Sequence, residues 1–477
     1  MRSPGYPSSE PVEPCAALAE LWHAAGQPTE ALSHVRFTGA EPVLPSSFAV
    51  GTAAQASIAA SALAAAELWH LSCGRRQLVS VDMRHAAIEF RSERYFRVDG
   101  KTPAEIWDKI AGTYRCGDGR WVRLHTNFPH HRDGVLALLG CDYDRGAVQR
   151  ALQNWRADAL EEAAARAGLV VTAQRSFEAW DRHPQGAAVA ALPIFSIERI
   201  GDAPREPLPP GPRPLSGVRV LDLTRIIAGP VCGRTLAAHG ADVLLVTASH
   251  LPAIEPLVID TGRGKLSCRI DLREPVGRST LRALVRDAGV FVQGYRPGAL
   301  QSLGFDPEEL SELRPGIVYV SLCAYGHVGP WADRRGFDSL VQTASGFNEA
   351  EAQAAGIDQP KPLPAQVLDH AAGYLMALGA ITALARRVTE GGSWHVRVSL
   401  AQTGHWLRRL GRIEHGLSWR ETSFDDVRDL LEAHDSGFGR LTAIRHAAQL
   451  SETPARWVRP SMPLGAHPAA WPEEPVA

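Results

Sequence analysis

The sequence predicts an α/β protein, a doubly wound parallel sheet joined to a smaller α+β domain. Three observations carry this prediction. Beyond residue 217, short β-rich apolar runs alternate with helical runs, the signature of a parallel sheet covered on both faces. Before residue 200 the periodicity is mixed, with strand-like and helical stretches in no regular order. Between them lies "GDAPREPLPPGPRPLSG" (201–217), whose prolines forbid helix and favour an extended connector. A chain of 477 residues also exceeds what one compact core holds. The expected divisions are an N-terminal segment (1–46), a region with the smaller domain (47–200), the linker (201–216), the α/β domain (217–410) and a closing tail (411–477).

Taken in order, an Ala-rich run predicts a buried helix over 53–70, and "QLVSVDM" (77–83) a strand. "DGRWVRLH" (118–125) reads as a turn and strand, followed by helices over 136–168 and near 177–182. After the linker, "VRVLDL" (218–223) is a strand leading into a helix that runs to His239. "DVLLV" (242–246), "LSCRIDL" (266–272), "GVFVQ" (289–293) and "IVYVSL" (317–322) supply further extended segments, with a helix over roughly 276–287. In a sheet of this kind, ligands bind at the carboxyl ends of the strands.

Bulk composition narrows the function. A hydrophobic fraction of 45%, a charged fraction of 21% and a net charge of −2 are ordinary for a globular protein and give no electrostatic case for a nucleic-acid or membrane-surface role. Seven scattered cysteines, odd in number and never in a CxxC pair, argue against a disulfide framework and fit a reducing cytoplasm. "MRSPGYPSSEPVEPC" shows no basic-then-apolar signal pattern. The adjacent His130 and His131 have no acid-rich frame around them, so no metal is expected there. No nucleophile elbow or P-loop lysine motif is present, which leaves hydrolase and nucleotide-triphosphatase readings without support.

One acid stands out. In "PAQVLDHAAGYLMALGAITALARR" (364–387), Asp369 sits at the mouth of an apolar helix, and the next charged residue is Arg386. An Asp at a helix start is commonly a cap for exposed amides; the alternative is a buried reactive carboxylate. His370 is not its partner, because neighbours at i and i+1 do not face each other on a helix. An internal echo bears on the choice. "CGRRQLVSVDMRHA" (73–86) resembles "EGGSWHVRVSLAQT" (390–403), and aligning Gly74 with Gly391 puts Thr52 opposite Asp369. The helix is built once with the acid and once without it.

Several motifs, in order, resemble the family III CoA-transferases, a group that includes the carnitine- and formyl-CoA-transferases and α-methylacyl-CoA racemase. They are "VRVLDLTRIIAGPVCGRTLAAHGADVLLV" (218–246), "DTGRGKLSCRIDL" (260–272), "GYRPGALQSLGF" (294–305) and "YGHVGP" (325–330), followed by "VLDHAAG" (367–373) and "SETPARWVRPSMPLGAH" (451–467). Upstream, "YRCGDGRWVRLH" (114–125) and "SFEAWDRHPQGAA" (176–188) resemble the family's small domain. Because that domain normally follows the catalytic acid, the chain reads as a fused, partly permuted arrangement whose first part is a truncated copy.

The resemblance implies CoA transfer between an acyl-CoA and a carboxylic acid, with Asp369 as the nucleophile that forms an aspartyl covalent intermediate. It implies CoA contacts at Ile226 and Ala228 in "TRIIAGP", at Lys265 in "GRGK" and at Tyr295 and Arg296 in "GYRPG". It also implies a homodimer that uses CoA as substrate; with the composition, a cytoplasmic protein without a tightly bound cofactor, metal, membrane or nucleic acid is expected. The chain departs from the family pattern at Gly294, where Asn is usual, and at Thr247, where an acid is usual. At Phe337 the racemases carry a His that serves as second base, and inversion at carbon needs two bases. Transfer is therefore expected over racemisation. An acyl-CoA racemase or isomerase, and a catalytically silent CoA-binding homologue, stand as alternatives.

Overall fold

The computed structural model describes residues 10–473, so the first nine residues of the opening stretch 1–15 lie outside the described residues. Helix α1 (Val50–Cys73), strand β1 (Val79–Asp82) and helix α2 (Met83–Glu89) belong to the first part of the chain, as does strand β2 (Phe195–Gly201). The second part holds β3 (Arg219–Leu223), α3 (Ala228–Ala238), β4 (Asp242–Thr247), β5 (Lys265–Arg269), α4 (Pro275–Arg286) and β6 (Val290–Gln293). It continues with β7 (Val318–Cys323), α5 (Asp338–Ala344), α6 (Val367–Glu390), β8 (Ser393–Ser399) and α7 (Leu400–Arg409).

Seven strands form the main sheet in the order β5-β4-β3-β6-β7-β8-β2. All neighbours are parallel except β8 and β2. The continuous apolar runs seen in the sequence are therefore strands buried on both faces, as a doubly wound sheet requires. Chain order reverses between β3 and β6. That reversal opens a crevice at the carboxyl ends of these two strands, where such sheets bind ligands.

The edge strand β2 immediately precedes the proline-rich linker and lies antiparallel to β8, with Val396 opposite Ile197. The linker thus leads from the edge of the sheet back to its middle, and one hydrophobic core runs from Ala17 to Leu450 across it. The tail is tied to the first part in the same way. Ala448–Leu450 pairs with β1, and Gly439–Ile444 pairs with Arg97–Val98. A separate antiparallel sheet (112–115, 121–124, 171–173) with its own core forms the smaller α+β unit. Its helices are three, the first beginning at Pro129, ahead of the 136 expected from periodicity.

The echo is structural. Val50 and Val367 open helices of 24 residues each, and Met83 and Leu400 open the helices that follow. Both spacings are 317 residues (367 − 50 and 400 − 83). Even the caps correspond. Asp82 accepts from the His85 N–H at the start of α2, as Ser399 accepts from the Gln402 N–H at the start of α7. The helices α1 and α6 pack together within the core. Helix α6 is long and apolar enough to cross a bilayer, but its apolar window is wholly buried in the protein.

Candidate active site

Strand β3 ends at Leu223, and the chain turns through Thr224, Arg225 and Ile226 into α3. Ile226 holds a φ of +77°, a left-handed conformation costly for a β-branched residue and found where the surrounding fold enforces a ligand-facing turn. The N-cap of α3, Ile227, offers no side-chain acceptor, so the first amides of the helix stay available to an anion. Gly229 is required here because a Cβ would lie 2.3 Å from the Thr224 side chain.

These turns line a cavity of about 550 Å³ together with Gly294, Tyr295 and Arg296 from the end of β6. Phe128, His130 and His131 come from the smaller unit, Arg335 and Phe337 from the segment before α5, and Asp369 from α6. Both parts of the chain therefore build one cavity. Of the residues singled out in the sequence, Ile226, Ala228, Tyr295, Arg296 and Asp369 all line this cavity.

Lys265 is not among them. Its ammonium lies buried beneath α3, 2.9 Å from Asp222 Oδ2 and 2.7 Å from the Pro230 carbonyl oxygen. The expectation of a phosphate contact is corrected by that geometry, since the lysine is a strut under the loop. Gly233 leaves the space for it; a Cβ there would lie 3.0 Å from the Lys265 Nζ.

Asp369 occupies the first turn of α6, not its cap position, which is Gln366. The cap comes from elsewhere. Asp338 Oδ2 accepts the backbone N–H of Leu368 at 2.7 Å and that of Asp369 at 3.0 Å, while the Gln342 side-chain amide donates to Asp338 Oδ1. The structural alternative for Asp369 is thereby removed: its helix is capped by another acid. Placement of the acid depends on Gly373, one turn on, where a Cβ would lie 2.6 Å from the Ala228 carbonyl oxygen and 2.7 Å from Val231. Without that Cβ, α6 lies directly against the start of α3.

Electrostatics set Asp369 apart. Burial, then the charges of Asp338 and Glu93, push its carboxyl well above the usual range. Burial also raises Asp338, to about 6, against the amides that donate to it. Burial alone would raise Glu93, but the hydrogen bond and charge of His370, together with Arg94, hold it below the ordinary range. His370 thus serves Glu93, with Nε2 at 3.3 Å from Oε2, and does not face Asp369.

The opposite wall is basic and aromatic. Arg225, Arg296 and Arg335 lie close enough to affect one another, and no carboxylate pairs with them among the described residues. Arg225 lies over the rings of Phe128 and Tyr295, at 5.6 and 6.0 Å from their centroids. Phe337 stacks on His125 at 4.0 Å. Burial keeps His131 neutral, pushed down to about 3. Sequence reasoning missed Arg225, Arg335, Asp338 and Glu93 as members of the site. Arg225 was legible in principle, because it adjoins the quoted "TRIIAGP" loop.

Residues 215–419 match CoA-transferase family III. An acyl-CoA transferase of Gibberella moniliformis is 29% identical over 68% of this chain and 64% of its own length. A succinate–glutarate CoA-transferase of Agrobacterium fabrum is 33% identical over 39% of this chain and 51% of its own. A formyl-CoA:oxalate CoA-transferase of Rhodopseudomonas palustris is 32% identical over 42% of this chain and 51% of its own. The chain spans between 50% and 64% of the length of the most similar of these curated relatives. Among solved structures, a hypothetical protein of Mycobacterium tuberculosis is 31% identical over 42% of this chain and 59% of its own, with a TM-score of 0.39. The match to CoA-transferase family III thus spans residues 215–419, the stretch that carries β3 to β8 and α6.

Proposed function

We propose that the protein moves CoA between an acyl-CoA and a carboxylic acid, with the Asp369 carboxylate as nucleophile. The observation that carries this reading is Asp369 itself: a buried acid, relieved of capping its own helix, at the wall of the cavity into which the strand-end loops open. An oxygen of the ionised carboxylate attacks the thioester carbonyl carbon; a C–O bond forms, the C–S bond breaks and CoA leaves as thiolate. The thiolate then attacks the aspartyl carbonyl of the mixed anhydride, releasing the first acid and leaving an aspartyl-CoA thioester. The acceptor carboxylate attacks that thioester in turn, and the thiolate it displaces completes the exchange by taking the acceptor's acyl group. Dividing the exchange in this way replaces one hard step by easier covalent ones. A site that excludes water protects the anhydride from hydrolysis, and the apolar flank of α6 suits that need.

The amides at Ala228 and the turn at Ile226, with Tyr295 and the guanidiniums of Arg225, Arg296 and Arg335, support binding of the CoA phosphates and adenine on the basic wall. Phe337 in the place of a second base favours transfer over racemisation. The reading extends to a homodimer in the cytoplasm, measured by light scattering and by fractionation.

The test is incubation with an acyl-CoA, trapping with hydroxylamine or borohydride, and peptide mass analysis. Modification at Asp369, and loss of transfer in Asp369→Asn with CoA affinity within a few-fold, is the expected result. Retained turnover in Asp369→Asn, or deuterium exchange at the acyl Cα without modification, would overturn it.

A further inference from the structure

The helices α1 and α6 are duplicated elements, and each has its first amides satisfied by an acid from outside the helix. On α6 the acid is Asp338, which receives the N–H groups of Leu368 and Asp369. On α1 it is Glu41, whose Oε1 receives the Thr52 N–H at 2.8 Å and which also meets the Gly51 amide. Gly51 and Thr52 are the 317-residue counterparts of Leu368 and Asp369. The two caps differ in one respect that bears on chemistry. Beside Glu41 stands the neutral Thr52; beside Asp338 stands the carboxyl proposed to react.

We infer that Asp338 is a positioning residue for the reaction at Asp369. By accepting the two amides it leaves both carboxyl oxygens of Asp369 to the cavity, and it fixes a negative charge next to the nucleophile. This inference rests on Asp369 being the nucleophile. Left to itself, a carboxylate in the first turn bonds to the free amides of its own helix, and a carboxylate so bonded is both oriented away from substrate and weakened as a nucleophile. The neighbouring charge acts in the opposite sense, since two carboxylates sharing a site cannot both ionise easily and the one that does so last is the more basic.

The groups that bear on this pair come from several elements. Asp338 faces Asp369 and His370 on α6, Gln342 on α5 and, from the strand at 121–124, the guanidinium of Arg123. Asp369 faces Asp338 and, from the short turn Ser92–Arg94, Glu93; the cavity wall adds Arg225, Arg296 and Arg335. Burial raises Asp369 most, and of the charged groups around it Asp338 acts ahead of Glu93.

The experiment compares Asp338→Asn with Glu41→Gln in the full-length protein, reading the pH dependence of kcat/KM and the melting temperature. Asparagine keeps an oxygen for the two amides and removes the charge. The expected result is an acid limb that moves to lower pH by about one unit or more, with a reduced plateau kcat and little change in KM for acyl-CoA. Asp338→Glu, which keeps the charge, returns the limb to its wild-type position. Glu41→Gln leaves the limb in place. The position of the limb does not depend on how much protein is folded, so a merely structural cap would not move it. An unmoved limb in Asp338→Asn, an equal movement in Glu41→Gln, or failure of Asp338→Asn to fold while Glu41→Gln folds would overturn the inference. Asp369→Asn run alongside separates the two claims: full activity there removes the nucleophile assignment, whereas loss there with an unmoved Asp338→Asn limb removes only the role of Asp338.

Discussion

Replacing Lys265 by methionine separates two roles for that residue. A lysine that met CoA phosphates would, when removed, weaken binding and leave the fold unchanged. Here Lys265 is 3% exposed and its ammonium pairs with Asp222, which is fully buried and also accepts the Thr224 N–H at 3.1 Å. Methionine keeps the stem and strands the carboxylate in a dry interior. Breaking one side of a buried pair costs about 3–5 kcal/mol. At ~2–4 °C per kcal/mol for a cooperative unit of about 150–250 residues, the melting temperature falls by roughly 6–20 °C. Burial, only partly offset by Asp222, holds Lys265 below its ordinary range, so the pair itself adds little net stability. Adding Asp222→Asn to Lys265→Met should therefore recover much of the loss, a coupling visible in a double-mutant cycle. Differential scanning calorimetry of the ligand-free protein, with CoA titration of the same samples, is the assay. An unchanged melting temperature with an approximately tenfold weaker CoA affinity would refute the reasoning and return Lys265 to the phosphates.

Three other perturbations test the site. Asp369→Asn should raise the melting temperature at neutral and alkaline pH and not in acid. The folded-state pKa of Asp369 is raised, so the stability its protonated form contributes is present at low pH and lost as pH rises through that value; asparagine escapes the loss. A lower melting temperature for the variant at pH 8 would contradict the assigned burial. Gly373→Ala should cost about 1–3 kcal/mol and most of the turnover, because the added methyl meets the Ala228 carbonyl and forces α6 from α3; calorimetry and kcat together check it. Arg335→Gln should raise KM for acyl-CoA about tenfold or more, with kcat nearly unchanged and the effect shrinking in salt, as steady-state kinetics at two ionic strengths would reveal.

Much of this architecture was legible in the sequence. The strands β3 to β7 were visible as apolar runs between helical ones because period and propensity are local properties. The loops after β3 and β6 could be placed at the site because a parallel sheet puts its ligands at carboxyl ends. Asp369 stood out because a lone acid in an apolar helix is chemically unusual, and the echo at Thr52 carries the same 317-residue spacing as the duplicated helices. What local pattern does not contain is the partner of a residue. Lys265 reads the same on a string whether it meets a phosphate or an internal carboxylate, and burial beneath α3 decided for Asp222. Asp338 lies 31 residues from the amide it accepts, so nothing in either segment announced that it caps α6. The proline-rich linker looked like a boundary, yet β2 before it joins the sheet after it, because an open sheet edge gains by pairing wherever the chain allows. Element type was thus determined by the sequence alone; which charges are paired, which acid is left free and which halves share a core were decided by long-range packing, where burial makes an unpaired charge too costly to leave unmatched.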